Sequence, residues 1–144
     1  MNLSPHFTLQ ELTQSEIAAR NGWENTPDAA EINNLTRLAE LLEQVRKTLN
    51  KPILINSAYR SKKVNDAVNS KDSSQHRIGC AADIRVGGMT PDQICAAIKE
   101  SDIQFDQLIR EFDSWVHISV PNHAGDTPRN QMLIIDRLGT RPYA

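Results

Sequence analysis

The feature that most restricts the fold of this chain is a run of apolar residues spaced three and four positions apart. Its members are Ile32, Leu35, Leu38, Leu42, Val45 and Leu49. This spacing puts all of them on one face of an α-helix, and such a face has to be buried against another layer. Thr26 and Pro27 precede the run and supply a cap and a first-turn proline. We therefore predict a long amphipathic helix that forms one wall of the hydrophobic core.

A shorter helix is predicted ahead of it, from Leu9 to Arg20. Thr8 and Glu11 have the spacing of a capping box, in which each side chain satisfies a free backbone donor of the other residue. Phe7 and Leu12 are placed to pack against each other across the start of this helix.

The rest of the chain has the pattern of strands with helices between them. Strands are predicted at residues 51–57, 81–86, 107–112, 115–120 and 132–138, and short helices at 61–68 and from Thr90 onward. The two strands on either side of Asp113 and Ser114 have the pattern of a β-hairpin. The sum is an α+β fold, with N-terminal helices packed on a mostly antiparallel sheet and one helix inserted in it.

Length and charge limit the kind of protein this chain can be. With 144 residues, 39% of them apolar, it is long enough to bury a core as a single domain, residues 1–144. Its formal net charge of −2 and scattered basic residues argue against a nucleic-acid partner. Cys80 and Cys95 lack the close spacing of a metal-binding or redox pair, so we interpret them as reduced core residues. We expect a monomer.

The N-terminal residues 1–7 lack the basic start and long apolar run of a secretory signal. No later stretch is apolar enough to span a bilayer. We therefore expect synthesis in the cytoplasm without a signal peptide, and no insertion into a membrane.

One segment suggests a metal site. His76 and Asp83 are seven residues apart, and they can converge on one ion because Gly79 permits a sharp bend and Ala81 leaves room beside the site. Alternation along the strand puts Ala81 and Asp83 on the same face. His117, in the middle of another predicted strand, is the best candidate for a third ligand.

Two imidazoles and one carboxylate are a known ligand set for a single catalytic zinc ion, Zn²⁺. Such a site keeps a fourth position for water, which the metal acidifies while it polarises the scissile carbonyl. The pattern therefore favours catalysis over a purely structural metal.

These residues also form a motif that resembles a known family. The pattern is His76-x-x-Gly79-x-Ala81-x-Asp83 followed by Trp115-x-His117, and it is preceded by Ser57-Ala58-Tyr59-Arg60-Ser61 and Asn65. It resembles the signature of the zinc D-alanyl-D-alanine carboxypeptidases and their endopeptidase relatives, which include phage endolysins. The similarity extends over about residues 7–120, most of the chain.

The resemblance implies a zinc metallopeptidase that cuts D-amino-acid-containing bonds in the stem peptides of bacterial peptidoglycan. It implies that His76, Asp83 and His117 hold the zinc and that Arg60 contacts the substrate carbonyl or carboxylate, where a fixed guanidinium stabilises negative charge. Such an enzyme, made without a leader, would reach the cell wall after release or through a holin-type pore.

Three further residues are predicted to contact substrate. Ser74 and Gln75 either orient His76 or line the cleft, although an ordinary polar loop also explains them. Trp115 either forms a wall of the cleft beside His117 or anchors the core.

The general base is where the chain departs from the family pattern. Several members have an acid three positions before the last histidine ligand, and here that position is Ser114. Glu111 and Asp113 are the nearby acids. A three-residue hairpin loop would put Glu111 opposite His117 on the same face, whereas a two-residue loop would pair it with Val116 and turn it away. We predict Glu111 as the catalytic base, with Asp113 as the alternative.

Two other functions stay open at this point. The chain could be a wall-binding or phage structural protein that keeps the zinc site but has lost turnover, as the missing acid at Ser114 suggests. It could also be a cysteine hydrolase that uses Cys80, although the neighbours of this thiol suggest burial rather than activation.

Overall fold

The computed structural model describes residues 1–143. The helices are α1 (Leu9–Thr13), α2 (Glu16–Asn21), α3 (Ala29–Leu49), α4 (Lys62–Ala67) and α5 (Pro91–Lys99). The strands are β1 (Asn2–Ser4), β2 (Phe7–Thr8), β3 (Leu54–Ser57), β4 (Ala81–Arg85), β5 (Gln107–Glu111), β6 (Trp115–Ser119), β7 (Gln131–Asp136) and β8 (Gly139–Pro142). None of the helices in this part of the chain is long and apolar enough to cross a lipid bilayer.

A six-stranded sheet in the order β3-β4-β6-β5-β7-β8 is the central element. Its neighbouring strands are antiparallel except for β5 and β7, which are parallel. Strands β1 and β2 form a small separate sheet. Helix α5 lies in the chain between β4 and β5. The predicted α+β class is confirmed.

Side-chain alternation gives the sheet one face for the core and one for the polar site. The core face consists of fully buried side chains from its central strands: Ala82, Ile84, Leu108, Val116 and Ile118. These residues belong to one hydrophobic cluster with apolar residues of α3 and α5. The side chains that alternate with them, including those of Asp83 and His117, therefore lie on the opposite face.

Helix α3 supplies the predicted apolar wall. Its fully buried residues include Leu35, Leu38, Leu42 and Val45, all 0% exposed. The predicted cap at Thr26 is wrong, because Asp28 caps the helix and exchanges hydrogen bonds of 2.8 and 2.9 Å with Glu31. Pro27 consequently precedes the cap instead of occupying the first turn.

The helix predicted after Thr8 is split in two. The capping box between Thr8 and Glu11 is confirmed, but α1 ends at Thr13. Helix α2 starts after Ser15, whose hydroxyl accepts a hydrogen bond of 3.2 Å from the Ala18 backbone N–H. Because serine satisfies free helix donors well, it begins a new helix here and does not continue the first.

The five predicted strands correspond to β3 through β7, with shorter or shifted ends. Strands β1, β2 and β8 were not predicted. A 3₁₀ turn, Gln75–Ile78, was also not predicted, and it carries His76.

Gly79 ends this turn with a φ of +82°, the left-handed region that glycine adopts readily. A Cβ atom there would lie 2.9 Å from the Glu31 carbonyl oxygen and 3.0 Å from Leu35 Cγ in helix α3. The turn is therefore packed against the core helix as closely as a glycine allows.

Gly79→Ala should lower the free energy of unfolding by about 3 kcal/mol, because left-handed strain and steric overlap add. Gly22→Ala is the matched control, since Gly22 has a φ of +67° but nothing within 4 Å of an added Cβ. Its loss should be about 1 kcal/mol from strain alone. Urea unfolding measures both, and equal losses would contradict the packing argument.

Candidate metal centre

Three elements bring His76, Asp83 and His117 together on the polar face of the sheet. His76 comes from the 3₁₀ turn, and Asp83 in β4 is paired directly with His117 in β6. Their side chains are buried, with exposed fractions of 4%, 6% and 8%. Asp83 Oδ1 lies 3.2 Å from His76 Nε2 and 3.3 Å from His117 Nδ1.

The hydrogen bonding of His76 prepares it to hold a metal. Its Nδ1 lies 2.8 Å from the Ala58 carbonyl oxygen, and a carbonyl can only accept, so Nδ1 carries the ring proton. In the neutral ring, Nε2 then presents a lone pair toward Asp83 Oδ1. Two acceptors so close repel each other unless the ring gains a second proton or a cation binds both. A hydrogen bond from one ring N–H to a backbone carbonyl, as from His76 to Ala58, commonly orients histidine ligands in metal sites.

The separations also match zinc coordination. Ligand atoms about 2.0–2.1 Å from a tetrahedral zinc ion lie about 3.3 Å from one another. The two separations from Asp83 Oδ1 have this value, and the three candidate ligand atoms lie within 4.8 Å of one another. The residues present therefore fit one zinc ion with a further position for water.

Asp83 is suited to be an anionic ligand in spite of its burial. Burial raises the pKa of its carboxyl group, but the neighbouring His76 and His117 lower it by more. The net effect holds the pKa of Asp83 well below its ordinary value. Metal binding requires a deprotonated carboxylate, and the site provides one.

Arg60 lies at the edge of the cluster. Its backbone N–H donates to the His76 carbonyl oxygen at 2.9 Å. Its guanidinium lies 3.5 Å from Asp83 Oδ2, and its Nε donates to Ser57 Oγ at 3.3 Å. Burial lowers the pKa of Arg60, and the charges of Asp83 and Glu111 oppose this effect. A guanidinium fixed in this way can face a substrate oxygen.

The hairpin between β5 and β6 brings Glu111 to the site. Its loop has three residues, 112–114, and Glu111 pairs with Trp115. The direct pairing of Glu111 with His117 that we predicted is wrong, because Ile109 occupies that position. Glu111 nevertheless shares the face of His117, since Trp115 and His117 are two positions apart on one strand.

Glu111 is held beside the metal cluster by two contacts. Its Oε1 lies 3.9 Å from His117 Nδ1, and its Oε2 accepts a hydrogen bond of 2.9 Å from Trp115 Nε1. Burial and the charge of Asp83 raise the pKa of Glu111 above its ordinary value. Trp115 thus orients the predicted base, a contact that the sequence did not indicate.

The other acid and the serine of the hairpin lie away from the cluster. Asp113 is exposed and lies 3.1 Å from Arg110. Ser114 is exposed too, and its hydroxyl donates to the Phe112 carbonyl oxygen at 3.1 Å. Glu111 is therefore better placed than Asp113 to act as a base.

Gln75 and Ser74 support the turn that carries His76. Ser74 Oγ accepts from the His76 backbone N–H at 3.3 Å. The buried Gln75 amide donates to Asp106 Oδ2 at 3.0 Å and to the Val120 carbonyl oxygen at 3.0 Å. The contacts favour the orienting role over direct substrate binding, which stays a prediction for both residues.

The buried Asp106 accepts the hydrogen bond from Gln75, a contact that the sequence did not indicate. Arg129 donates to it from Nε at 3.0 Å and from Nη2 at 2.6 Å. Hydrogen bonding from Arg129 is the largest cause that holds the pKa of Asp106 below its ordinary value. The ion pair connects the loop before β7 to the histidine turn through Gln75.

Cys80 has the environment of a structural thiol. It is fully buried, and its Sγ lies 3.6 Å from the Pro121 carbonyl oxygen. Burial raises its pKa, which is opposite to the activation that a cysteine nucleophile needs. Both cysteines are unpaired thiols.

We expect the purified chain to bind one zinc ion with His76, Asp83 and His117. Asp83→Asn and His117→Ala should each remove most of this zinc, measured by elemental analysis after gel filtration and by titration calorimetry. His123→Ala, at an exposed loop residue, is the matched control and should keep full zinc content. Unchanged zinc content in the Asp83→Asn protein would contradict the assignment.

Comparison with known proteins agrees with the geometry of the site. A family model described as Peptidase M15 matches residues 5–119, a span that contains Arg60, Glu111 and the three candidate ligands. A search of curated protein sequences found no match. The family match confirms the resemblance drawn from the sequence motif. Because it covers well over half of the chain, the protein belongs to the M15 family of zinc D-Ala-D-Ala carboxypeptidase-type peptidases.

Proposed function

We propose that this metallopeptidase hydrolyses D-amino-acid-containing peptide bonds in the stem peptides of bacterial peptidoglycan. The observation that carries the proposal is the position of Glu111, which lies 3.9 Å from His117 beside the buried His-Asp-His cluster. A site that only held a structural metal would have no need of a carboxylate with a raised pKa at this place. Family membership supports the same chemistry.

Zinc bound to the three ligands would supply an acidified water and polarise the scissile carbonyl. Glu111 then accepts a proton from the attacking water and returns it to the leaving amine. Its raised pKa makes Glu111 a better proton acceptor than an ordinary glutamate, and general acid–base catalysis is most effective when the pKa of the group approaches the working pH. The bond from Trp115 keeps Oε2 in place and leaves Oε1 directed toward His117.

Arg60 has a complementary role on the other side of Asp83. Its guanidinium is mostly buried and close to the cluster, where water screens charge poorly and a fixed cation acts strongly. It faces the negative charge that develops on the substrate carbonyl oxygen, or the carboxylate of a substrate end. Lysine would not replace it well, because a planar guanidinium binds two oxygens in a fixed geometry.

Purified protein loaded with zinc should release stem-peptide fragments from peptidoglycan, and a chelator should stop the release. Mass spectrometry of the soluble products identifies the bond that is cut. Zinc content without release under these conditions would contradict the proposal and favour a wall-binding role.

Glu111→Gln should lower the rate of release by about 10²–10⁴-fold, because the amide cannot accept the proton. The variant should keep its zinc, since Glu111 is not among the three ligands. Asp113→Asn is the control and should cut at close to the normal rate, as Asp113 is exposed and paired with Arg110. Full activity in the Glu111→Gln protein would remove it as the base.

A further inference from the structure

A cavity of about 510 Å³ lies between helices α2 and α4 and the edge strand β3. Residues 55–57 of β3 line one side of it, and Gln14, Ser15, Glu16, Ile17 and Arg20 line another. Arg60 also lines it and lies 3.5 Å from the candidate ligand Asp83. The cavity therefore adjoins the metal centre, and a bound molecule could extend from one to the other.

The cavity is rich in positive charge. Three arginines line it, Arg20, Arg60 and Arg85, against a single acidic residue, Glu16. Within residues 1–143, neither Arg20 nor Arg85 forms an ion pair. Arg85 Nε donates a hydrogen bond of 2.9 Å to Asn56 Oδ1, and this bond does not use the two terminal nitrogens of the guanidinium.

The strand beside the cavity can accept another strand. β3 is the outermost strand of the sheet and pairs with β4 on one side only. In the described part of the chain, the backbone of residues 54–57 makes no hydrogen bond to backbone outside the sheet. A free edge of this kind binds extended peptides by main-chain hydrogen bonds, and neighbouring pockets then select their side chains.

We propose that this cavity is a substrate subsite that binds an extended peptide segment carrying a carboxylate, with Arg20 and Arg85 as the residues that select it. The peptide lies along β3 as an added strand and continues past Arg60 to the bond that is cut. This inference rests on the proposed function, because it names the part of the peptide that the same enzyme recognises.

Charge complementarity favours an acidic segment over a neutral or basic one. The guanidinium of Arg60 already lies 3.5 Å from the Asp83 carboxylate, whereas Arg20 and Arg85 form no ion pair in the described part of the chain. Both are exposed side chains, so substrate binding does not have to break an existing ion pair. Within residues 1–143 neither Arg20 nor Arg85 forms an ion pair, and Glu16 is the single carboxylate beside three arginines in the cavity, so a substrate carboxylate would supply a counterion.

The test compares two synthetic peptides by titration calorimetry with the full chain in chelator, so that no bond is cut. One is a peptidoglycan stem tetrapeptide, and the other is the same peptide with its side-chain carboxylates amidated and its C-terminus unchanged. The wild-type protein should bind the first about tenfold more tightly, the effect of two exposed guanidinium contacts. Raising the salt concentration should reduce the difference.

The variant Arg20→Ala/Arg85→Ala should bind both peptides with the affinity that the wild type has for the amidated one. Arg137→Ala is the matched control, an exposed arginine in the turn between β7 and β8, at the opposite edge of the sheet. It should keep the tenfold preference. Equal binding of the two peptides by the wild type, or a preference that survives in the double variant, would overturn the proposal. Thermal unfolding of each variant verifies that it folds.

A separate binding measurement tests whether the peptide pairs with β3 as an added strand. A stem peptide with methylated backbone nitrogens should bind less tightly than the unmethylated peptide, because it cannot donate to β3. Equal binding would overturn this part of the proposal.

The subsite and the proposed function can fail separately. If the zinc-loaded protein releases nothing from peptidoglycan but prefers the free carboxylates through Arg20 and Arg85, the subsite stands and the hydrolase does not. If it cuts the free and amidated peptides with equal kcat/KM, the hydrolase stands and the subsite does not.

Discussion

Antiparallel pairing of β4 with β6 puts Asp83 directly opposite His117, and the rest of the site depends on this contact. The next pair along the strands, Ile84 and Val116, points to the other face and is fully buried in the core. A slip of one residue between these strands would bury a carboxylate among apolar side chains and expose an isoleucine. The hydrophobic core therefore fixes the register of the candidate metal ligands.

Burial gives these groups their chemical properties. Asp83, Glu111 and Arg60 lie close together with little access to water, and each responds to its neighbours. Burial raises the pKa of Glu111, and the negative charge of Asp83 raises it further. Asp83 itself is kept ionised by two histidines. Two carboxylates on one face thus acquire different pKa values, because the two histidines outweigh burial at Asp83, whereas burial and the charge of Asp83 outweigh His117 at Glu111.

Much of the fold follows from patterns that are local in the chain. The apolar face of α3, the capping box at Thr8 and the alternation in β4 and β6 were predicted and are present. The cap of α3 was misplaced because Thr26 and Asp28 are both good capping residues, and a short segment does not show which one the chain uses. The break at Ser15 was missed for a related reason. A serine can lie within a helix or cap a new one, and here it caps α2.

By itself, the sequence determined the identity of the ligand candidates, the alternation that puts Ala81 and Asp83 on one face of their strand, and the membership of the family. These depend on spacing within short segments, where side-chain direction follows from secondary structure. Only the tertiary structure decided that Glu111 and not Asp113 lies beside His117, since this depends on a three-residue loop in which Phe112 and Asp113 have positive φ angles of 54° and 49°. Likewise, only the tertiary structure showed the hydrogen bond from Gln75 to Asp106 and the position of Arg20 and Arg85 around one cavity. Contacts of this kind connect residues far apart in the chain, and their geometry is set by packing, which no local pattern encodes.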